Sequence, residues 1–229
     1  MPFGFLRTDG SERLERIETT LQRMFVDDRH SFDVAMSALV GGASPGTVGE
    51  DLRNTDHRVN EAEREIRREL VVHAGVYGGI ETPTILVYMS IVKDVERIGD
   101  YAKNLFDIAG DGVVLDAGDL MNEVVTLRSS ISEMISEVAE TFSQRDGDRS
   151  RALLEQGDAM LDDFDQRVSD LVTGRISGAH DVAYALTYRY FKRIVAHLMN
   201  VLSAVVMPVD RLDYFDEDPE DREERTSDA

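Results

Sequence analysis

Apolar residues recur along this chain in steps of three and four, the spacing that gathers them on one face of an α-helix. Leu14, Ile17, Leu21, Met24 and Phe25 open a first stripe, which Phe32, Ala35 and Leu39 continue. The segment "GGASPG" at 41–46 breaks it, as glycine and proline clusters do. Val48, Leu52, Thr55, Val59, Ala62, Ile66 and Leu70 form a second stripe, stopped by "GVYGG" at 75–79. "ETP" at 81–83 opens a third helix, predicted to end near Ala109. Thr82 stands in place for the N-cap, and Pro83 for the first turn, where a missing N–H costs nothing.

The second half repeats the plan. Leu120, Val124, Leu127, Ile131, Met134 and Val138 form a stripe ending near "QRDGD", and Leu154, Leu161, Phe164, Val168 and Leu171 another ending near "TGRISG". Val182, Leu186, Tyr190, Ile194, Leu198, Val201 and Val205 complete the set before Pro208. No alternating, strand-like segment competes. Third and sixth helices align at a constant separation of 96, Arg97-Ile98 with Arg193-Ile194 and Asn104 with Asn200. Second and fifth align at 102, Asp56 with Asp158. The sequence therefore predicts an all-α protein of two tandem three-helix bundles. The expected divisions are an N-terminal segment 1–10, repeats at 11–112 and 113–210, and an acidic, disordered tail at 211–229.

Composition narrows the function. The 229 residues include no Cys, which excludes disulfides and thiol chemistry. No apolar run approaches the roughly 18 residues that span a membrane, and the N-terminus lacks the basic start and apolar centre of a signal peptide. A cytoplasmic protein is expected. The net charge of −20 argues against direct nucleic-acid binding, which draws on Lys and Arg. Lys93, Lys103 and Lys192 are the only lysines. An acid-rich, lysine-poor surface suits salt-loving cells, where concentrated salt screens self-repulsion.

Candidate chemistry centres on "KDVERIGDYAKNL" at 93–105. Glu96 and Asp100 lie one turn apart on one helix face, a like-charge arrangement that destabilises by a few tenths of a kcal/mol. Asp56 and Asn60 have the same spacing on the second helix. If the two helices pack antiparallel, four oxygen donors face one groove, the kind of site that Mg²⁺, Mn²⁺, Fe or Zn can use. The plain alternative is a solvated face, with Glu96 paired to an arginine one turn away. Among the histidines, His57 points about 100° away from Asp56, and His197 reads as a packing residue. Tyr88, Tyr184, Tyr188 and Tyr190 read as bundle-lining, with hydroxyls near the surface.

The 93–105 stretch resembles the signature helix of the PhoU family of phosphate-uptake regulators, and the resemblance extends over residues 10–207. It implies duplicated three-helix bundles with an acidic pair on paired helices of each repeat, binding metal clusters in some members. Glu96 and Asp100 match that pattern, and Asp56 matches the partner helix with Asn60 in place of its second acid. In the second repeat Asp158 and Asp162 are kept, while Lys192 and Ala196 stand where their partner acids belong. At most one working metal cluster is expected, in the first repeat, with Lys192 pairing with Asp158 or Asp162.

The resemblance implies a non-enzymatic adaptor that binds the ATP-binding subunit of a phosphate transporter or a signalling protein, reaching the membrane only through that partner. A haloarchaeal source and a homodimer fit the same expectation. The rival readings are a metal-free helical dimerisation module, a regulator of another ion transporter, and a di-metal carboxylate oxidoreductase. The last is disfavoured because such sites combine Glu with Glu-x-x-His, which this chain lacks.

Overall fold

The computed structural model of the chain describes residues 4–79, 81–115 and 117–212. Six helices carry the described residues: α1 (Gly4–Leu39), α2 (Pro45–Tyr77), α3 (Thr82–Gly110), α4 (Asp119–Gln144), α5 (Gly147–Val172) and α6 (Asp181–Val206). A 3₁₀ turn at Val209–Arg211 follows. α1 starts at Gly4, seven residues before the expected start of the first repeat. The expected acidic tail lies outside the described residues from position 213 on.

The helix ends follow local chemistry. Pro45 opens α2 with Ser44 before it, in the extended backbone suited to an N-cap. Thr82 is the first residue of α3 rather than its cap; Glu81 takes that position, and the Thr82 hydroxyl accepts the Gly79 N–H at 3.1 Å. α4 ends at Arg145, in the left-handed region at φ 54°. Its guanidinium reaches Glu18 at 2.6 Å and lies 4.0 Å from the Phe142 ring centroid, tying the turn to α1. Asp146 then caps α5 by accepting the N–H groups of Asp148 and Arg149. α4 thus ends within the expected "QRDGD" stretch, and Gly147 begins α5.

The two three-helix bundles also pack on each other. In the first repeat α1, α2 and α3 all pack on one another, whereas α4 packs mainly on α1 and α6 and least on α5. α3 lies along α6, so one continuous core runs through both repeats, from Leu21 and Phe32 to Phe191 and Leu202. α5 approaches α6 closely at Gly157, where an added Cβ would lie 2.6 Å from Met199 Sδ.

At the start of α6 the predicted stripe is displaced by one position. Val182 and Leu186 are exposed, and Ala183, Tyr184, Thr187 and Tyr188 are buried instead. Aromatic packing sets this register: the Phe164 ring of α5 sits 6.4 Å from Tyr188 and 6.1 Å from Phe191. Tyr188 is wholly buried, so its hydroxyl lies inside the bundle and not near the surface. Burial pushes that hydroxyl well above the usual tyrosine range.

Candidate functional site

α2 and α3 form a hairpin joined at 78–81, and α1 closes its inner side. Leu52, Val59, Ile66 and Leu70 bury one face of α2. Asp56, Asn60 and Glu63 lie beside that stripe, at the seam with α3. On α3, Val92, Val95, Ile98, Ala102 and Leu105 pack inward, leaving Glu96, Asp100 and Lys103 along the same seam.

The expected acids do converge, and lysines stand between them. Lys103 Nζ donates to Asp56 Oδ1 at 2.7 Å and to Asp100 Oδ1 at 2.9 Å, joining α2 to α3. Lys93 Nζ lies 2.5 Å from Glu96 Oε2 and 4.0 Å from Glu63 Oε1, one turn along the seam. Arg67 also holds Glu63, at 3.0 Å. Burial works to lower the Lys103 pKa, but the bonds to Asp56 and Asp100 outweigh it and hold the ammonium above its ordinary value. The repulsion between Glu96 and Asp100 is thus relieved within α3 itself, by a lysine three residues before one and three after the other. Glu96 pairs with a lysine and not with an arginine.

Asn60 uses its side-chain N–H on the Asp56 carbonyl, at 3.0 Å. His57 is exposed. In the second repeat Lys192 pairs with Asp165, at 2.5 Å. Ala196 is buried in the core, so the position carries packing where an acid was implied. Asp162 is exposed and Asp158 half-buried.

Beneath the first-repeat groove lies a residue the sequence reading passed over. Asp28 of α1 is fully buried, and neither carboxylate oxygen has a hydrogen-bond partner. It faces Gly99 of α3, where an added Cβ would lie 2.6 Å from Asp28 Oδ1. Burial raises its pKa well above the carboxylate range, and the charges of Asp27, Glu96, Asp100 and Asp56 raise it further. Its neighbour Asp27 turns outward to Arg58, at 2.6 Å.

A second buried polar group sits where the repeats meet. Asp94 Oδ1 accepts from Asn200 at 3.0 Å and bonds His197 Nδ1 at 2.9 Å. The His197 ring stacks on Tyr101, with centroids 5.7 Å apart. His197 therefore packs, as its spacing suggested, and also shares in a polar contact between α3 and α6.

A hard cation is the group these oxygen donors suit. Asp56 and Asp100 already aim at one point from two helices, and the Lys103 ammonium shows that a positive charge is accommodated there. Among the described residues no three such side chains lie close enough, as they stand, to hold one ion. The place between Asp56 and Asp100 is held by the Lys103 ammonium, so these residues as arranged do not fit a resident metal ion.

Fold and groove define a class: a protein whose described residues are helical, made of a duplicated three-helix unit with a charged seam in its first half. Residues 21–109 match the PhoU domain, a span that contains every residue of that seam. The chain is 25% identical over 199 residues to a phosphate-specific transport system accessory protein PhoU homolog from Synechocystis, covering 85% of this chain and 88% of that protein. Its fold is similar to the crystal structure of PhoU from Pseudomonas aeruginosa, with TM-score 0.74, 21% identity, and 88% of this chain and 98% of the other covered. It is similar as well to a phosphate transport system regulatory protein PhoU from Streptococcus pneumoniae, with TM-score 0.74, 12% identity, and 86% and 95% covered. Residues 21–109 thus match a PhoU domain, and most of the chain is similar in sequence and fold to PhoU proteins.

Proposed function

We propose that this protein is a cytoplasmic, non-catalytic regulator of phosphate uptake. It acts by binding the ATP-binding subunit of a phosphate transporter or a signalling protein, and the groove between α2 and α3 organises the binding surface. The observation that carries this reading is the convergence of Asp56 and Asp100 from two helices on one positive charge, inside the segment that matches the PhoU domain. No described helix is long and apolar enough to cross a membrane, so contact with a transporter would run through a partner protein.

Lys93 and Lys103 already neutralise the groove, so this reading needs no metal ion. Uptake of radiolabelled phosphate in a strain lacking the gene, grown with ample phosphate, tests the main reading. Uptake should rise well above the parent and return to normal when the wild-type chain is restored. A Glu96→Gln/Asp100→Asn chain should restore it poorly. Uptake unchanged by the deletion would remove the phosphate role, whereas full rescue by the double variant would remove the groove from it.

A further inference from the structure

Acids outnumber bases 45 to 25 in this chain, so an arginine has a carboxylate within reach over most of the surface. Arg13, Arg58 and Arg167 each take one at direct contact, at 2.5, 2.6 and 2.7 Å. Arg29 of α1 does not. Its Nε and Nη1 donate to two neutral hydroxyls of α4, Ser132 at 3.0 Å and Ser136 at 2.7 Å. Its Nη2 makes no hydrogen bond among the described residues. Asp33 stands 3.9 Å from Nε, too far for a hydrogen bond. The Asp33 oxygens have other neighbours: Oδ2 accepts the buried Ser132 hydroxyl at 3.2 Å, and Oδ1 lies 4.0 Å from a second guanidinium, that of Arg128. Two guanidiniums share one carboxylate that touches neither, so the charge of Arg29 is left poorly matched.

Arg29 forms part of the wall of a cleft of about 560 Å³ between α1 and α4. Gln22, Phe25 and Val26 line it from α1, and Ser136, Ala139 and Gln144 from α4. Phe25 and Ala139 are buried, whereas Val26 is 70% exposed. The Ser136 oxygen accepts from Arg29, which leaves its own O–H free to donate. Two carboxylates line the cleft as well: Asp33, already shared, and Glu140, which accepts the Gln144 amide at 2.9 Å. His30 at the edge is turned to Asp51, at 2.6 Å.

We infer that this cleft is a binding site for a phosphate group, held by the Arg29 guanidinium and the Ser136 hydroxyl. A guanidinium fork bonds phosphate oxygens through paired N–H groups. Here the donors come from two helices, which suits the tetrahedral spread of phosphate oxygens better than the plane of a carboxylate. The group arrives as free phosphate or as a monoester, and a cleft of this size, within the range of small-molecule sites, has room over Phe25 and Val26 for the organic part of the latter. α1 belongs to the first repeat and α4 to the second, so a bound phosphate fastens the two bundles together. The cleft is separate from the seam of α2 and α3, and neither reading depends on the other.

The test titrates the ¹⁵N-labelled full chain with sodium phosphate, O-phosphoserine and sodium acetate at constant ionic strength, following amide shifts by NMR. Wild type is compared with Arg29→Gln and with Arg23→Gln, which removes the same charge from an exposed position of α1 outside the cleft. Phosphate and phosphoserine should shift amides within 22–33 and 136–144, with acetate at least about tenfold weaker. Arg29→Gln should weaken phosphate binding at least about tenfold, and Arg23→Gln less than about twofold. Phosphoserine binding tighter than phosphate assigns the cleft to monoesters; phosphate binding as tightly or tighter assigns it to the free ion. Three results overturn the inference: no saturable shift in the cleft up to about 10 mM phosphate, acetate as tight as phosphate, or equal losses in the two arginine variants. If Arg29→Gln melts well below wild type, Ser136→Ala takes its place, since it removes a donor and keeps the guanidinium. A loss of about threefold or more is then expected, and unchanged affinity overturns the inference.

Discussion

Within α1, Asp28 falls three residues after Phe25 and four before Phe32, both buried. It therefore fills the place in the apolar stripe that a leucine would otherwise occupy. Its burial gives the protein a pH dependence with a definite sign. In the unfolded chain Asp28 titrates near 3.9; folded, it holds its proton to higher pH, because of burial first and then the charges of Asp27, Glu96, Asp100 and Asp56. Above the unfolded value the folded state binds more protons, so stability falls as pH rises towards the folded value. Urea unfolding from pH 4 to pH 8 should show Asp28→Asn gaining on wild type as pH increases, by about 1–3 kcal/mol at the upper end. A difference that stays flat would mean Asp28 is not a buried acid. Glu96 and Asp100 could be read from the sequence because i,i+4 spacing is visible in one dimension. Asp28 has no such partner in "VDDRH", and its one signal is that it lies in register with Phe25 and Phe32.

Element boundaries were legible to within a few residues because they rest on local signals. At 144–148 "QRDGD" marks the break where α4 does end, and it holds two such signals, Asp146 and Gly147. Asp146 is the stronger signal, since its carboxylate satisfies two N–H groups of α5. Arg145 accepts the left-handed backbone that a glycine would usually take, compensated by its contacts with Glu18 and Phe142. Asp146→Ala should lose about 1 kcal/mol in a urea titration; no measurable loss would mean that the turn, and not the cap, fixes the start of α5. The displaced stripe of α6 has another origin. That helix is covered by α3, α4 and α5 together, so periodicity alone cannot choose which arc turns inward, and the Phe164–Tyr188–Phe191 stack decides it.

For the molecule as a whole, duplication could be read from matched spacings, but the unequal packing of the halves could not. α4 leans on α1 because the core is shared, and no single helix records that choice. The polar contact of Asp94 with His197 and Asn200 pins the shared seam two residues from Glu96, close enough for events in the groove to be felt by the second repeat. Net charge acts on the same scale. At −20, mutual repulsion opposes the compact state. Raising KCl from about 0.1 to 1 M shortens the screening length from about 10 to 3 Å, so the melting temperature should climb with salt. A melting temperature that stays level or falls would show that the acids are already compensated by neighbours such as Lys93, Lys103 and the arginines of α2.

The placing of the lysines has a practical consequence. The chain has three, and all three lie in contact with seam carboxylates: Lys93 and Lys103 between α2 and α3, and Lys192 against α5. An amine-selective acylating reagent therefore has, apart from the chain terminus, no side-chain targets elsewhere on the protein. The rate at which each lysine is labelled becomes a direct reading of its own seam, free of background from the rest of the surface. A partner or ion that enters the first repeat would change the labelling of Lys93 and Lys103 and leave Lys192 as the internal standard.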